Sequence, residues 1–348
     1  MSKFKFYFLA LAAVAVLFSC DKNDSAPDYE ILQDFGVQYT YDMQVIKEYL
    51  KTHYIEEVVN NPGGVDDQDI KLTRIPEGGT QESIWNSPLL DSVHVERHTM
   101  TYTIFYIKQR EGVADTPSRV DRVFTSYDGS YLRLGQEPTR FEYVQTPSSY
   151  ISLAEVIMGW SEIFPKFKAG NLVDNPGNPA SFNDFGAGVM FLPSGLAYYN
   201  QATATIPKYA QLMFKFKLYD VKRSDDDGDG ILSNDEDVDG DGFFTDDDTD
   251  GDGIPNYLDT DDDGDGHLTR NEIKFTFEGN TYLYPFNGAA DDDPATPYDD
   301  RRGIPRKFTG GKDPQTNLDL PVESDFTDPA RLRRHLDKTA FPPFYDGQ

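Results

Sequence analysis

No lysine or arginine occurs between Arg223 and Arg270, and across that interval aspartate and glycine keep a fixed phase. Asp225, Asp227 and Asp229 alternate ahead of Gly230, and Glu236 closes the unit. The order restarts at Asp237, Asp239, Asp241 and Gly242, again at Asp248, Asp250, Asp252 and Gly253, and last at Asp261, Asp263, Asp265 and Gly266. Asp248, Asp259 and Glu272 hold the closing positions of the later units. Carboxylates at this density repel and expand a chain unless a cation draws them together. Hard cations such as Ca²⁺ take about 6–8 oxygens, and alternating carboxylates round a glycine-enabled turn supply them. Random acidity would not hold glycine in register through successive units. The segment is expected to bind structural calcium and stiffen into a rod, as a stalk or contact surface. The five histidines are scattered, which argues against zinc.

The remaining sequence is of another kind. At 348 residues the chain has room for one or two domains with extensions, and 14% aromatic content gives it material for a core. A net charge of −28 excludes nucleic acid and direct docking on an anionic bilayer. The one cysteine, Cys20, rules out an internal disulfide. It follows Lys3, Lys5, an apolar run over 6–18 and Ser19, the order of a secretory signal too short to span a bilayer. LFSC resembles a bacterial lipobox, so Cys20 is expected to be acylated. Each buried methylene then adds about 0.8 kcal/mol of anchoring to a bilayer, the outer membrane being the expected one. The body of the chain is expected to be extracytoplasmic, periplasmic or surface-exposed.

In chain order, Met43, Ile46, Leu50 and Tyr54 recur at helical spacing and predict a packing helix over 42–56, ended by Asn60-Asn61-Pro62-Gly63-Gly64. Strand patterns follow over 98–108 and 120–127, the second closed by Asp128-Gly129, and a third around Phe141, Tyr143 and Val144. Ser152-Leu153-Ala154-Glu155 has capping-box spacing ahead of a short helix limited by Pro165. A last strand alternates Leu212, Phe214, Phe216 and Leu218 on one face with Met213, Lys215 and Lys217 on the other. The order argues for an α+β fold. Trp160, Tyr198 and the closing strand can line an aromatic hollow or simply form a core.

Four motifs in this stretch carry a resemblance. TSYDG at 125–129, EVIMGW at 155–160, LPSGLAYY at 192–199 and IPKYAQLMFKFKLYDV at 206–221 resemble, in order, segments of the FKBP-type peptidyl-prolyl cis-trans isomerases. The resemblance implies a twisted antiparallel sheet wrapped around a short helix, with a ligand pocket between them. It places Trp160 at the pocket floor, and Val156 and Ile157 on its apolar wall, the Ile157 amide donating to a bound carbonyl. Tyr198 is then the loop tyrosine whose hydroxyl reaches substrate, and Tyr127, Ile206 and Phe214 complete the lining. Phe141-Glu142 stands where the family has Phe-Asp, and Tyr199 where it has glycine after the loop tyrosine. An insertion over 170–184 is expected to form a loop near the pocket.

The implied reaction needs no cofactor. Rotation about an X-Pro bond faces a barrier of roughly 18–20 kcal/mol because amide resonance must be broken. The twisted amide is less dipolar than the planar one, so a dry aromatic pocket disfavours it less than water does. Proline-containing polypeptides are the expected clients. An inactive FKBP-like interaction or chaperone module is the competing reading. The DTDGDGIPNYLDTDDDGDG run resembles thrombospondin type 3 repeats without their cysteines. The expected layout is a signal peptide at 1–19, a tether and helical region at 20–96 and an isomerase domain at 97–222. Calcium repeats follow at 223–272 and an extension at 273–348. In that extension a hairpin is expected around Glu278-Gly279-Asn280, and a basic helix from Asp328-Pro329 with Arg331, Arg333, Arg334 and Lys338.

Overall fold

A computed structural model describes residues 32–173 and 181–345; the signal segment and Cys20 lie outside them. Helix α1 (Phe35–Thr52) is followed by a two-stranded antiparallel pair, β1 (His53–Val58) with β2 (Ile70–Arg74). The expected helix over 42–56 therefore starts earlier and stops sooner. From His53 onward the chain pairs in extended register with IKLTR, and that pairing overrides the helical spacing of Tyr54.

The main sheet is antiparallel throughout. It takes in β3 (Leu90–Arg97), β4 (Met100–Arg110), β5 (Arg122–Leu132), β6 (Thr139–Val144), β7 (Ile151–Ser152), β10 (Gly186–Leu192) and β11 (Gln211–Lys222), with a small β8–β9 hairpin (Asn171–Val173, Ser181–Asn183) between. The spatial order is β3-β4-β10-β11-β5-β6, and β7 pairs with β5. The closing strand keeps its expected alternation. Leu212, Phe214, Phe216 and Leu218 join the cluster that holds Trp160, while Met213 joins Met43, Ile46 and Leu50 of α1 on the other face. Val189 and Phe191 of β10 face α1 as well, and Met190 and Leu192 face Trp160. One sheet thus divides two cores.

Several expectations are corrected. The isomerase domain expected from residue 97 begins inside a hairpin, since β3 starts at Leu90 and pairs with β4 along its length. Asp128-Gly129 is no turn: β5 runs through it, with Asp128 opposite Lys215 and Gly129 opposite Phe214. Ser152 lies in β7 and caps nothing; helix α2 (Met158–Ile163) is preceded by Ile157 and passes into a 3₁₀ turn, Phe164–Lys166, that contains Pro165. Gly159 is needed where α2 crosses β10, because a Cβ there would lie 2.5 Å from the Leu192 side chain.

The acidic segment does not extend away as a stalk. Phe244 and Tyr257 pack on Val120, Arg122 pairs with Asp226 at 3.0 Å, and Arg223 pairs with buried Asp121. Arg119 donates to Gly242 O, lies 4.2 Å from the Phe243 ring, and makes a two-pronged pair with Glu162 of α2 at 2.8 and 3.1 Å. Apolar residues placed among the aspartates give the segment something to dock with. On its far side Ile231 enters a third core with Ile273, Phe275, Tyr284, Ile304, Phe308 and Phe326. There the expected hairpin forms as β12 (Lys274–Phe277) and β13 (Asn280–Leu283). The expected basic helix does not form. Only a 3₁₀ turn, Arg334–Leu336, occurs, because Arg334 is drawn inside, stacked 3.8 Å from Phe344 and donating to Lys274 O.

Candidate functional site

A cavity of about 650 Å³ opens on the Trp160 side of the sheet. Trp160, 4% exposed, meets Tyr127 and Phe214 edge-on at 5.1 and 5.2 Å, and Phe141 meets Phe214 edge-on at 5.6 Å. Edge-to-face packing holds these rings in fixed orientations. The indole Nε1 is buried without a hydrogen-bond partner. Val156 and Ile157 form the wall ahead of α2, and Tyr198 stands at the exposed rim.

The sheet makes room for this floor at one point. Gly129 lies beside an irregularity in the β5–β6 register, opposite Glu142, and a Cβ there would sit 2.7 Å from Phe141 Cζ. Irregularities of this kind re-aim side chains next to sites. Burial and then Glu142 push the Tyr127 hydroxyl up to about 12, and the same two causes, in the same order, raise Tyr198. Both phenols stay protonated donors across the physiological range.

Of the residues nominated from sequence, Tyr127, Phe141, Glu142, Val156, Ile157, Trp160, Tyr198 and Phe214 line this one cavity. Ile206 does not; it is buried in the adjoining core, in a turn where its N–H donates to Thr203 Oγ1. The described residues of the insertion are not at the cavity either. Among its described residues, Phe182 stacks on Tyr219 and lies near Phe124, away from the lining. Residues 174–180 of that insertion lie outside the described residues.

Sequence reasoning missed a second wall made of Phe35, Arg97, His98 and Tyr199. It also missed Asp42, a fully buried carboxylate of α1 that holds the loop carrying Tyr198. Asp42 Oδ2 accepts from Ser194 N and Ser194 Oγ, both at 2.7 Å, and Oδ1 accepts from Gln211 Nε2 and Gln38 Nε2, both at 2.6 Å. Burial raises its pKa, opposed by these hydrogen bonds. The helical spacing of 42–56 marked α1 as packing, and only the buried position of an aspartate on that apolar stripe hinted at more.

The acidic segment offers a second constellation. Asp227, Asp229, Glu236 and Asp262 bring carboxylate oxygens within 4.8 Å of one another, as do Asp237-Asp239-Asp241, Asp248-Asp250-Asp252 and Asp261-Asp263-Asp265. Asp225 and Asp259 stand outside these clusters, accepting from Gly228 N and Asp261 N in their own turns. Asp248, expected to serve two units, joins only the later one, and Glu272 is fully buried and faces Asp263 and Asp265. Asp262 was not nominated, since it falls between the phased positions. Its chain fold brings the last unit beside the first.

Both carboxylate oxygens of Glu236, Asp262 and Glu272 are buried without a hydrogen-bond partner. Burial and neighbouring carboxylates push Glu236 up to about 10, and Asp262 and Glu272 to about 9. Buried oxygens that no protein donor satisfies, set among like charges, fit a hard divalent cation. Gly230 and Gly266, at φ +105° and +92°, supply the left-handed turn each loop requires.

Residues 226–298 match the family model described as BamM C-terminal, a span covering the acidic units and the β12–β13 hairpin. No curated protein matches the chain. Among solved structures, similarity is found to a peptidyl-prolyl cis-trans isomerase from Pseudomonas syringae pv. tomato, at 22% identity over 34% of this chain and 76% of that one, with a TM-score of 0.27. FkpA from Escherichia coli is similar at 26% identity over 34% of this chain and 48% of its own, TM-score 0.27. The N-terminal domain of FKBP42 from Arabidopsis thaliana is similar at 16% identity over 34% and 86%, TM-score 0.27.

Proposed function

We propose that the chain is an extracytoplasmic peptidyl-prolyl cis-trans isomerase, anchored through acylated Cys20 and acting on proline-containing polypeptides. The observation that carries this reading is the convergence, in one aromatic-floored cavity, of eight of the residues that the motif resemblance nominates. An X-Pro segment placed over Trp160 gives up water for rings, so the less dipolar twisted amide is favoured relative to solution. On this reading the Tyr198 hydroxyl and the Ile157 amide donate to carbonyls flanking the bond. No nucleophile, general base or metal enters the step.

A protease-coupled isomerisation assay on the chain from Ser25 tests the reading. Acceleration that falls by ten-fold or more in Trp160→Ala supports it. Absence of acceleration, or acceleration unchanged in Trp160→Ala and Tyr198→Phe, removes it. The competing reading, a non-catalytic peptide-binding module, is favoured by Tyr199 reaching the cavity where the resembled family has glycine. Binding without acceleration would establish that alternative.

The acidic segment is proposed to hold structural Ca²⁺, with Asp227, Asp229, Glu236 and Asp262 as one ligand set and Asp261, Asp263, Asp265 and Glu272 as another. Bound cations would neutralise the buried carboxylates and hold the segment against Val120 and Arg119. Calorimetric titration with Ca²⁺ that gives no heat and no gain in protease resistance would remove this part alone.

A further inference from the structure

The second wall of the cavity has a structure of its own. Phe35, the first residue of α1, stacks on His98 at 3.7 Å with planes 8° apart, and on Tyr199 at 4.3 Å and 21°. Both partners sit in the left-handed region, His98 at φ +52° and Tyr199 at φ +50°. At His98 this conformation belongs to the two-residue β3–β4 turn, which it shares with Thr99 at φ +58°, whereas at Tyr199 a bulky side chain keeps it only where its surroundings impose it. His98 is oriented further by its Nδ1, 3.1 Å from the Tyr102 hydroxyl. The three rings are half-buried, so their edges remain open to the cavity that Trp160 floors.

Charge marks the same wall. Arg97 lines it, is exposed, and makes none of the ion pairs found among the described residues. The whole chain has 60 acidic against 32 basic side chains, so an arginine left for an outside partner at a cavity mouth is informative. Glu142 and Glu155 line the same cavity.

We propose that Phe35, His98 and Tyr199 form a second subsite, continuous with the Trp160 floor, that takes an aromatic side chain a few residues from the proline, and that Arg97 receives a carboxylate beside it. The occupant is an extended proline-containing polypeptide with an aromatic-acidic pair flanking the proline. Ring edges favour a further ring in edge-to-face contact, and a guanidinium pairs with a carboxylate through two parallel hydrogen bonds. The inference rests on reading the Trp160 hollow as a proline site.

The test uses the full chain and fluorescein-labelled peptides: an alanine-flanked proline, and the same peptide with Phe-Glu placed before or after the proline. Fluorescence polarisation is expected to show one Phe-Glu peptide binding about ten-fold more tightly than the alanine peptide. Phe35→Ala should abolish that gain, with circular dichroism checking the fold. Arg97→Glu, at an exposed position, should transfer the preference to a Phe-Lys peptide. Equal binding of all peptides, or a gain that survives both variants, overturns the proposal. Isomerisation of the alanine peptide is followed in parallel. If it proceeds while the Phe-Glu gain is absent, only the subsite falls. If it does not proceed but the gain is present and lost in the variants, the subsite stands and the isomerase reading falls.

Discussion

Asp42 of helix α1 receives both the backbone N–H and the hydroxyl of Ser194, each at 2.7 Å, across a separation of 152 residues. Ser194 opens the turn that presents Tyr198, so a helix outside the four motifs fixes the rim of the cavity. Asp42→Ala removes a buried acceptor from Ser194, Gln211 and Gln38 at once. Leaving buried donors unsatisfied should cost about 3 kcal/mol and lower the thermal midpoint by several degrees. Thermal denaturation followed by circular dichroism reads this, and peptide affinity should fall with it.

Gly129→Ala tests the floor. The added methyl would meet Phe141 at 2.7 Å and Phe214 at 3.0 Å, so a ring must move into the cavity. Overpacking of this kind costs about 1–3 kcal/mol, and peptide affinity should drop by roughly ten-fold as the floor closes. Unchanged affinity would mean that Phe141 does not bound the ligand space.

Arg119→Ala tests the join between the acidic segment and helix α2. Glu162, whose side chain is 3% exposed, would lose its two-pronged partner. An uncompensated buried carboxylate should destabilise by about 3 kcal/mol in urea unfolding. Adding Glu162→Gln should recover part of the loss. If the double variant is no better than Arg119→Ala, the cost lies in the Gly242 and Phe243 contacts instead.

Asp262→Asn separates the folded arrangement from the repeat pattern. Asp262 sits with Asp227, Asp229 and Glu236, so its loss should weaken one high-affinity Ca²⁺ step by about 10–100-fold. Asp241→Asn, in an exposed cluster, should have a smaller effect. Equal effects in isothermal titration would dissociate burial from affinity.

His53 supplies a pH dependence. It is fully buried, stacks 3.9 Å from Tyr49, and has Glu137 at 3.6 Å and Arg74 close by. Burial holds its pKa below the ordinary 6.5, against the hydrogen bond to Tyr49 O and the charge of Glu137. Below pH 6.5 the unfolded chain therefore binds a proton that the folded one declines. Its contribution to stability is complete above that pH and declines as pH falls, by at most about 1.4 kcal/mol per unit. His53→Phe should lose less stability than the parent between pH 7.5 and 5.5, at fixed calcium, in urea titrations.

Much of the floor was legible because its residues are near one another in sequence and carry distinctive types. EVIMGW placed Trp160, Val156 and Ile157 together, and the alternation of 212–218 put Phe214 on the same side. The second wall was not legible. Phe35, His98 and Tyr199 meet only through tertiary folding, and Tyr199 holds a backbone conformation that its residue type disfavours. Asp262 was hidden for a related reason: phase along the chain says nothing of which unit folds beside which. Arg334 misled, since a row of arginines reads as a solvated helix until aromatic rings are found to enclose one of them.

β11 acts as a partition one backbone thick, with Phe214 in the aromatic-floored cavity and Met213 in the compartment of α1. Neighbouring codons of that strand therefore answer to different selective demands. A scan of substitutions along 212–218 should separate Phe214, whose loss impairs recognition, from Leu212, Met213, Phe216 and Leu218, whose loss impairs folding.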